Sequence, residues 1–198
     1  MIGVRRMARN NKRERLEELR REIIEEFFIK GFQGKRIDVW FYPEYNGVKG
    51  YLGTQDIAFV GSNPGCSCFP TPYDRVFYTV LKDTGFEKAH LTDVLKIRAK
   101  GEDVDKYFKD RALLDKNLEY LSREFEIIQP KLIVAVGERA EEILRKKFPS
   151  MRIHRIMHYS YLRYFKEGER YPRYREEVEH VKRTYSKLKK TSTPHVRG

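Results

Sequence analysis

Asn63 and His158 are the two side chains whose type and setting point most directly to chemistry. Asn63 stands in Asp56-Ile57-Ala58-Phe59-Val60-Gly61-Ser62-Asn63-Pro64-Gly65, and His158 opens His158-Tyr159-Ser160; each follows an apolar run that stops abruptly at a small polar motif. Such runs read as buried strands, so both motifs emerge from carboxyl ends, where open α/β sheets bind ligands. In a parallel sheet the two then share one rim. There the Asn63 amide can hold a water or a substrate atom in fixed geometry. Gly61 to Gly65 also meets the needs of a plain turn, since Gly permits positive φ, Asn tolerates it and Pro enforces a bend. It is not a phosphate-binding loop, because neither common glycine spacing is present. A His in a loop has a structural reading too; His158 is distinguished by its neighbours. Ser160 can hydrogen-bond the loop, and Tyr161-Leu162-Arg163-Tyr164-Phe165 is an aromatic, basic segment suited to DNA and phosphates.

The elements that must position these motifs alternate regularly. Strands are expected at Ile57 to Gly61, His90 to Leu95, Leu132 to Val136 and Ile153 to Met157. Helices are expected at about Asp74 to Thr84, Val104 to Ile127 (one long helix) and Glu138 to Phe148. Continuous apolar strands in βαβαβαβ order imply a three-layer α/β/α sandwich around a mainly parallel four-stranded sheet. Leu16, Leu19, Ile23, Ile24, Phe27 and Phe28 mark an amphipathic helix over Ala8 to Lys30. Gly31 to Gly53, rich in aromatics and glycine and holding Pro43, reads as a hairpin or ordered loop. Tyr171 to Lys190 reads as a charged C-terminal helix and Thr191 to Gly198 as a frayed basic tail. We expect one domain over residues 1–198, with its core at about 54–166, an N-terminal helix and hairpin at 8–53, and the basic helix and tail at 171–198.

The chain has 198 residues, and 41 Lys plus Arg against 29 Asp plus Glu give a formal charge of +12. That balance favours polyanionic partners, nucleic acid foremost. Thirteen Tyr, 12 Phe and one Trp offer stacking surfaces, although most of these rings belong to the core. Cys66 and Cys68 supply neither a four-ligand zinc site nor a secreted disulfide framework, so a reducing intracellular compartment, cytoplasmic or nucleoid-associated, is expected. Both cysteines read as small packing residues, and His90, His154 and His180 as structural or exposed. No apolar stretch approaches 18 residues, so no membrane partner is expected.

Four segments in register then resemble a known family. Phe59-Val60-Gly61-Ser62-Asn63-Pro64-Gly65, Phe69, Pro72-Tyr73-Asp74-Arg75-Val76-Phe77 and Thr84-Gly85-Phe86 look like the first motif region of the mismatch-specific uracil-DNA glycosylases. Thr92-Asp93-Val94-Leu95-Lys96-Ile97-Arg98, Pro130 to Gly137 and His158-Tyr159-Ser160-Tyr161-Leu162-Arg163 look like the thermostable iron–sulfur branch of the same superfamily. The similarity spans roughly residues 56 to 165. It implies a monofunctional DNA glycosylase of base excision repair, which flips a deaminated base out of the duplex and hydrolyses its glycosidic bond. Uracil is the first substrate implied and hypoxanthine the second; the partner is DNA holding a damaged or mismatched base, met by a monomer.

The resemblance also assigns roles. Asn63 would position the attacking water and His158 would donate to the base oxygen that gains charge, a kind of donor worth about 10²–10³ in rate. Gly61, Ser62, Pro64, Gly65 and Phe69 would form the base pocket, with Phe69 stacking on the base. Ser160, Tyr161, Leu162 and Arg163 would clamp the DNA and fill the vacated gap. Three departures matter. Ile97 replaces a cluster cysteine, so no iron–sulfur cluster, metal or other cofactor is expected. Tyr159 replaces a proline beside His158. Asp93 replaces an asparagine that reads the base edge; it either enters the pocket or serves as a strand-end carboxylate capping amides or pairing with Lys96 or Arg98. An ionised carboxylate only accepts, so uracil preference rests on Asp93's place. The alternative function is a non-catalytic nucleic-acid-binding member of the fold.

Overall fold

The structure, a computed structural model, describes residues 2–65, 67–98 and 102–191. Cys66 and the tail beyond Thr191, with His195, lie outside the described residues. The elements run α1 (Ile2–Ile24), β1 (Ile57–Gly61), α2 (Pro72–Asp83), β2 (His90–Asp93), α3 (Glu102–Lys109), α4 (Arg111–Ile128), β3 (Leu132–Val136), α5 (Glu138–Lys147), β4 (Ile153–Ile156) and α6 (Glu167–Thr191). A π-turn over Glu25–Ile29 and short 3-10 segments at Gly50–Leu52 and Tyr159–Tyr164 complete them.

All strand pairs are parallel, in the order β2-β1-β3-β4. Strand side chains alternate between two layers. Ile57, Phe59, Leu132, Val134 and Val136 pack with residues of α2 and α6. Ala58, Val60, Ile133 and Ala135 pack on the other face against Leu118, Leu121 and Phe125 of α4 and Ala140 and Leu144 of α5. The expected three-layer α/β/α sandwich is therefore present. The chain leaves β1 for β2 on one side and reaches β3 and β4 on the other, which makes the carboxyl end of β1 a topological switch point.

The amphipathic stripe of α1 buries Leu16, Leu19 and Ile23, continued by Phe27, in a third cluster with Tyr120, Ile127 and Ile128 of α4. Each such side chain contributes about 1.5–3 kcal/mol when fully buried. The same cluster takes in Phe41 and Tyr51, which ties down the segment between α1 and β1. That segment is the ordered loop of the two expected forms: it forms isolated bridges at Phe32 with Lys35, Val39 with Ile97 and Tyr45 with Val48 instead of a hairpin.

Several boundaries differ from expectation: α1 runs Ile2–Ile24 where Ala8 to Lys30 was expected, α6 starts at Glu167 and not at Tyr171, β4 ends at Ile156, and three further differences have a local cause. The long helix over 104–127 is two helices, because the Asp110 carboxylate accepts from the Leu113 amide at 3.1 Å and so ends one helix and caps the next. β2 stops at Asp93, yet its ladder continues, with the Val94 and Leu95 amides donating to the Gly61 and Ser62 carbonyls at 2.8 and 3.0 Å. α2 begins at Pro72, two residues before the expected start, because Thr71 and Asp74 form a capping box with Pro at the first turn.

Candidate active site

The carboxyl ends of β1, β3 and β4 border a cleft of about 700 Å³. Asn63 lines it from the loop after β1, and His158 from the turn after β4. Gly137, at the end of β3, lies between these strand ends with φ +97°, and a β-carbon there would stand 3.2 Å from Cβ of His158. The absent side chain lets the imidazole lie against backbone.

Local hydrogen bonds fix both groups. Asn63 Oδ1 accepts from the Ser62 hydroxyl at 3.0 Å, and its Nδ2 donates to the Pro64 carbonyl at 3.1 Å. One N–H and further acceptor capacity of the amide remain for a ligand. His158 Nδ1 accepts from the Ser160 amide at 3.1 Å and lies 2.8 Å from the Ser160 hydroxyl. Because that amide must donate, Nδ1 is the acceptor and the neutral ring carries its proton on Nε2. Burial, opposed by the charge of Asp74 and assisted by Arg163, pushes the His158 pKa down from 6.5 to about 4. At neutral pH it is an uncharged N–H donor. Its ring stacks on Tyr159, centroids 4.6 Å apart, and Tyr159 stacks in turn on Phe77 at 4.8 Å. The ring that replaces proline thus holds the imidazole from the core side.

Of the other residues singled out in the sequence, Ser62, Gly65 and Phe69 line the cleft with Asn63. Ser160, Tyr161 and Arg163 line it with His158. Gly61 and Pro64 are buried and form the base of the loop without lining the cleft. Leu162 does not join its neighbours: it is fully buried among core residues, and the Arg170 guanidinium binds its carbonyl at 3.1 Å. A 3-10 turn cannot expose every side chain, and this one turns its most apolar residue inward. Tyr161 and Tyr164 are the exposed rings of the segment, 5.9 Å apart.

Asp93 lies beneath Gly61, where a β-carbon would overlap its Oδ1, and it does not line the cleft. The Tyr42 hydroxyl donates to Asp93 Oδ1 at 3.3 Å and lies 3.5 Å from the Tyr159 hydroxyl. Lys96 Nζ donates to the Asp93 backbone carbonyl and pairs with Glu124 at 3.3 Å. Burial pushes the Asp93 pKa up from 3.8 to about 7, against the opposing pull of Lys96 and Tyr42. Ile97, at the place of a cluster cysteine, is fully buried among apolar side chains and offers no ligand. Among the described residues no group of three or more His, Cys, Asp or Glu is placed to hold a metal ion. Cys68 is exposed and so is not a packing residue.

Other cleft residues were not singled out by the sequence. Trp40 lines it from the segment before β1, with its ring 6.0 Å from that of Phe69 and the Arg98 guanidinium 5.9 Å from its own centroid. Its signal was weak, one Trp in an aromatic-rich stretch. Asp74 lines the cleft from the first turn of α2; in the sequence it marked a helix start and stood in the Pro72 to Phe77 motif without a role of its own.

The family model described as Uracil DNA glycosylase superfamily matches residues 50–189. No curated protein matches the chain significantly. The matched range includes both rim motifs and excludes Trp40 and Tyr42.

Proposed function

The chain belongs to the uracil-DNA glycosylase superfamily, and on that premise we propose that it is a monofunctional DNA glycosylase that flips a deaminated base out of DNA and hydrolyses its glycosidic bond. Uracil is the first substrate and hypoxanthine the second. The carrying observation is that an amide and an uncharged imidazole with an Nε2 proton, far apart in sequence, line one cleft.

The reaction needs what those groups supply. As the N-glycosidic bond stretches, the sugar becomes positive and the base negative. His158 donates from Nε2 to the base oxygen that takes up the charge, and a donor locked by Ser160 and the Tyr159 stack requires no reorganisation at that moment. Asn63, held by Ser62 and Pro64, positions water at the anomeric carbon. Phe69 offers its ring to the base, while Tyr161 and Arg163 meet the DNA at the cleft mouth.

The test incubates the protein with labelled duplexes containing uracil, hypoxanthine or a thymine mismatch, followed by alkali to cleave abasic sites. Strand breaks that disappear in His158→Ala and Asn63→Ala are expected. Tight, salt-sensitive binding with no breaks on any duplex would instead make the chain a nucleic-acid-binding member of the fold.

A further inference from the structure

Among the described residues three carboxylates line the cleft: Asp74, Glu138 and Glu142. Glu138 and Glu142 are exposed, and Glu138 faces Arg155 at 4.0 Å. Asp74 alone of the three is buried, at 7% exposure. It occupies the third position of α2, and both of its capping bonds, from the Thr71 amide at 2.8 Å and the Thr71 hydroxyl at 2.7 Å, fall on Oδ2. Its charge reaches the His158 ring and the Tyr159 hydroxyl. A capping box needs an acceptor here and no more, which Asn, Gln or Glu would also supply. It does not require a carboxylate opening into a cleft beside an imidazole.

The proposed hydrolysis leaves one atom without a destination. Water adds its oxygen to the anomeric carbon, the glycosidic electron pair leaves with the base, and a water proton must go to a base. Asn63 cannot take it, since an amide has almost no affinity for protons, and His158 Nδ1 is committed to the Ser160 amide while Nε2 already carries hydrogen. We infer that Asp74 is the general base of this cleft, accepting the proton of the water that Asn63 positions and facing the positive charge that develops on the sugar. This rests on the glycosylase reading and adds to it a group that touches the reacting water. The balance is complete: the C1′–O bond forms, the C1′–N bond breaks with its pair on the base, the water proton moves to Asp74, and the base anion is held by His158 until solvent protonates it.

The experiment measures single-turnover base release and duplex affinity for the wild type, Asp74→Asn and Thr71→Ala, with thermal melting of each. Asp74→Asn keeps an oxygen that accepts from Thr71, so the helix cap survives; the rate is expected to fall by about 10²-fold or more, with affinity for the uracil duplex within threefold. Thr71→Ala loses the cap acceptor and the hydroxyl bond to Oδ2 but keeps the bond from the backbone amide at that position and the carboxylate; it should melt about 2–4 °C lower and release base faster than Asp74→Asn does. Asp74→Asn as fast as wild type overturns the inference and leaves the glycosylase reading intact, as does Thr71→Ala as slow as Asp74→Asn, which would make Asp74 only a cap. A wild type that releases no base from any duplex overturns the glycosylase reading and this inference with it.

Discussion

Gly137 and His158 touch across the end of the sheet: the position a β-carbon would take on Gly137 lies 3.2 Å from Cβ of His158, at a residue with φ +97°. A side chain here is strained twice, by its backbone conformation and by the imidazole it must displace. Gly137→Ala should cost about 1–3 kcal/mol of stability and reduce base release by more than His-independent variants of equal stability do. Chemical denaturation paired with single-turnover assays separates the two effects.

The His158 ring should titrate near pH 4. Its depressed value means that the unfolded chain binds a proton the folded chain does not between about pH 4 and 6.5. This contribution to stability is fully present above 6.5 and is lost as pH falls through 4. A proton-NMR titration of the ring should show no inflection between pH 6 and 7, and His158 should impose no change on base release across that range.

Asp93 acts in the opposite sense. Its raised value gives stability that is fully present below 3.8 and is lost as pH rises through about 7. Near pH 5 the two groups oppose one another, so the wild-type melting temperature should change less between pH 4 and 6.5 than that of Asp93→Asn, which keeps the rising His158 contribution without the falling one of Asp93. Melting curves of both proteins across pH 4 to 8 check this; parallel curves would show Asp93 to be ordinary.

Leu162 and Tyr161 should separate stability from DNA contact. Leu162→Ala opens the core and should cost about 2–5 kcal/mol. Tyr161→Ala removes an exposed ring at the cleft mouth and should leave melting unchanged while weakening binding to duplexes with an abasic site by ~1–3 kcal/mol. Fluorescence anisotropy at fixed salt, beside thermal melting, reads both.

The layered α/β fold, the four strand positions and the two rim motifs are legible from local pattern: apolar runs of strand length, ended by glycine, proline or a small polar residue. Parallel strand order alone puts Asn63 and His158 on the same rim. What surrounds them depends on packing between distant segments. Asp93 goes beneath Gly61 because the β1–β2 register sets them side by side and glycine leaves room for the carboxylate. Leu162 turns inward because a 3-10 segment packed on α2 and α6 must bury one of its faces. Trp40 reaches the cleft because the segment after α1 is pinned by backbone bonds to β2's extension, the Trp40 amide donating to the Lys96 carbonyl at 2.9 Å. Asp74 faces His158 because α2 starts beside the turn after β4, a nearness between residues 84 positions apart that no local pattern encodes.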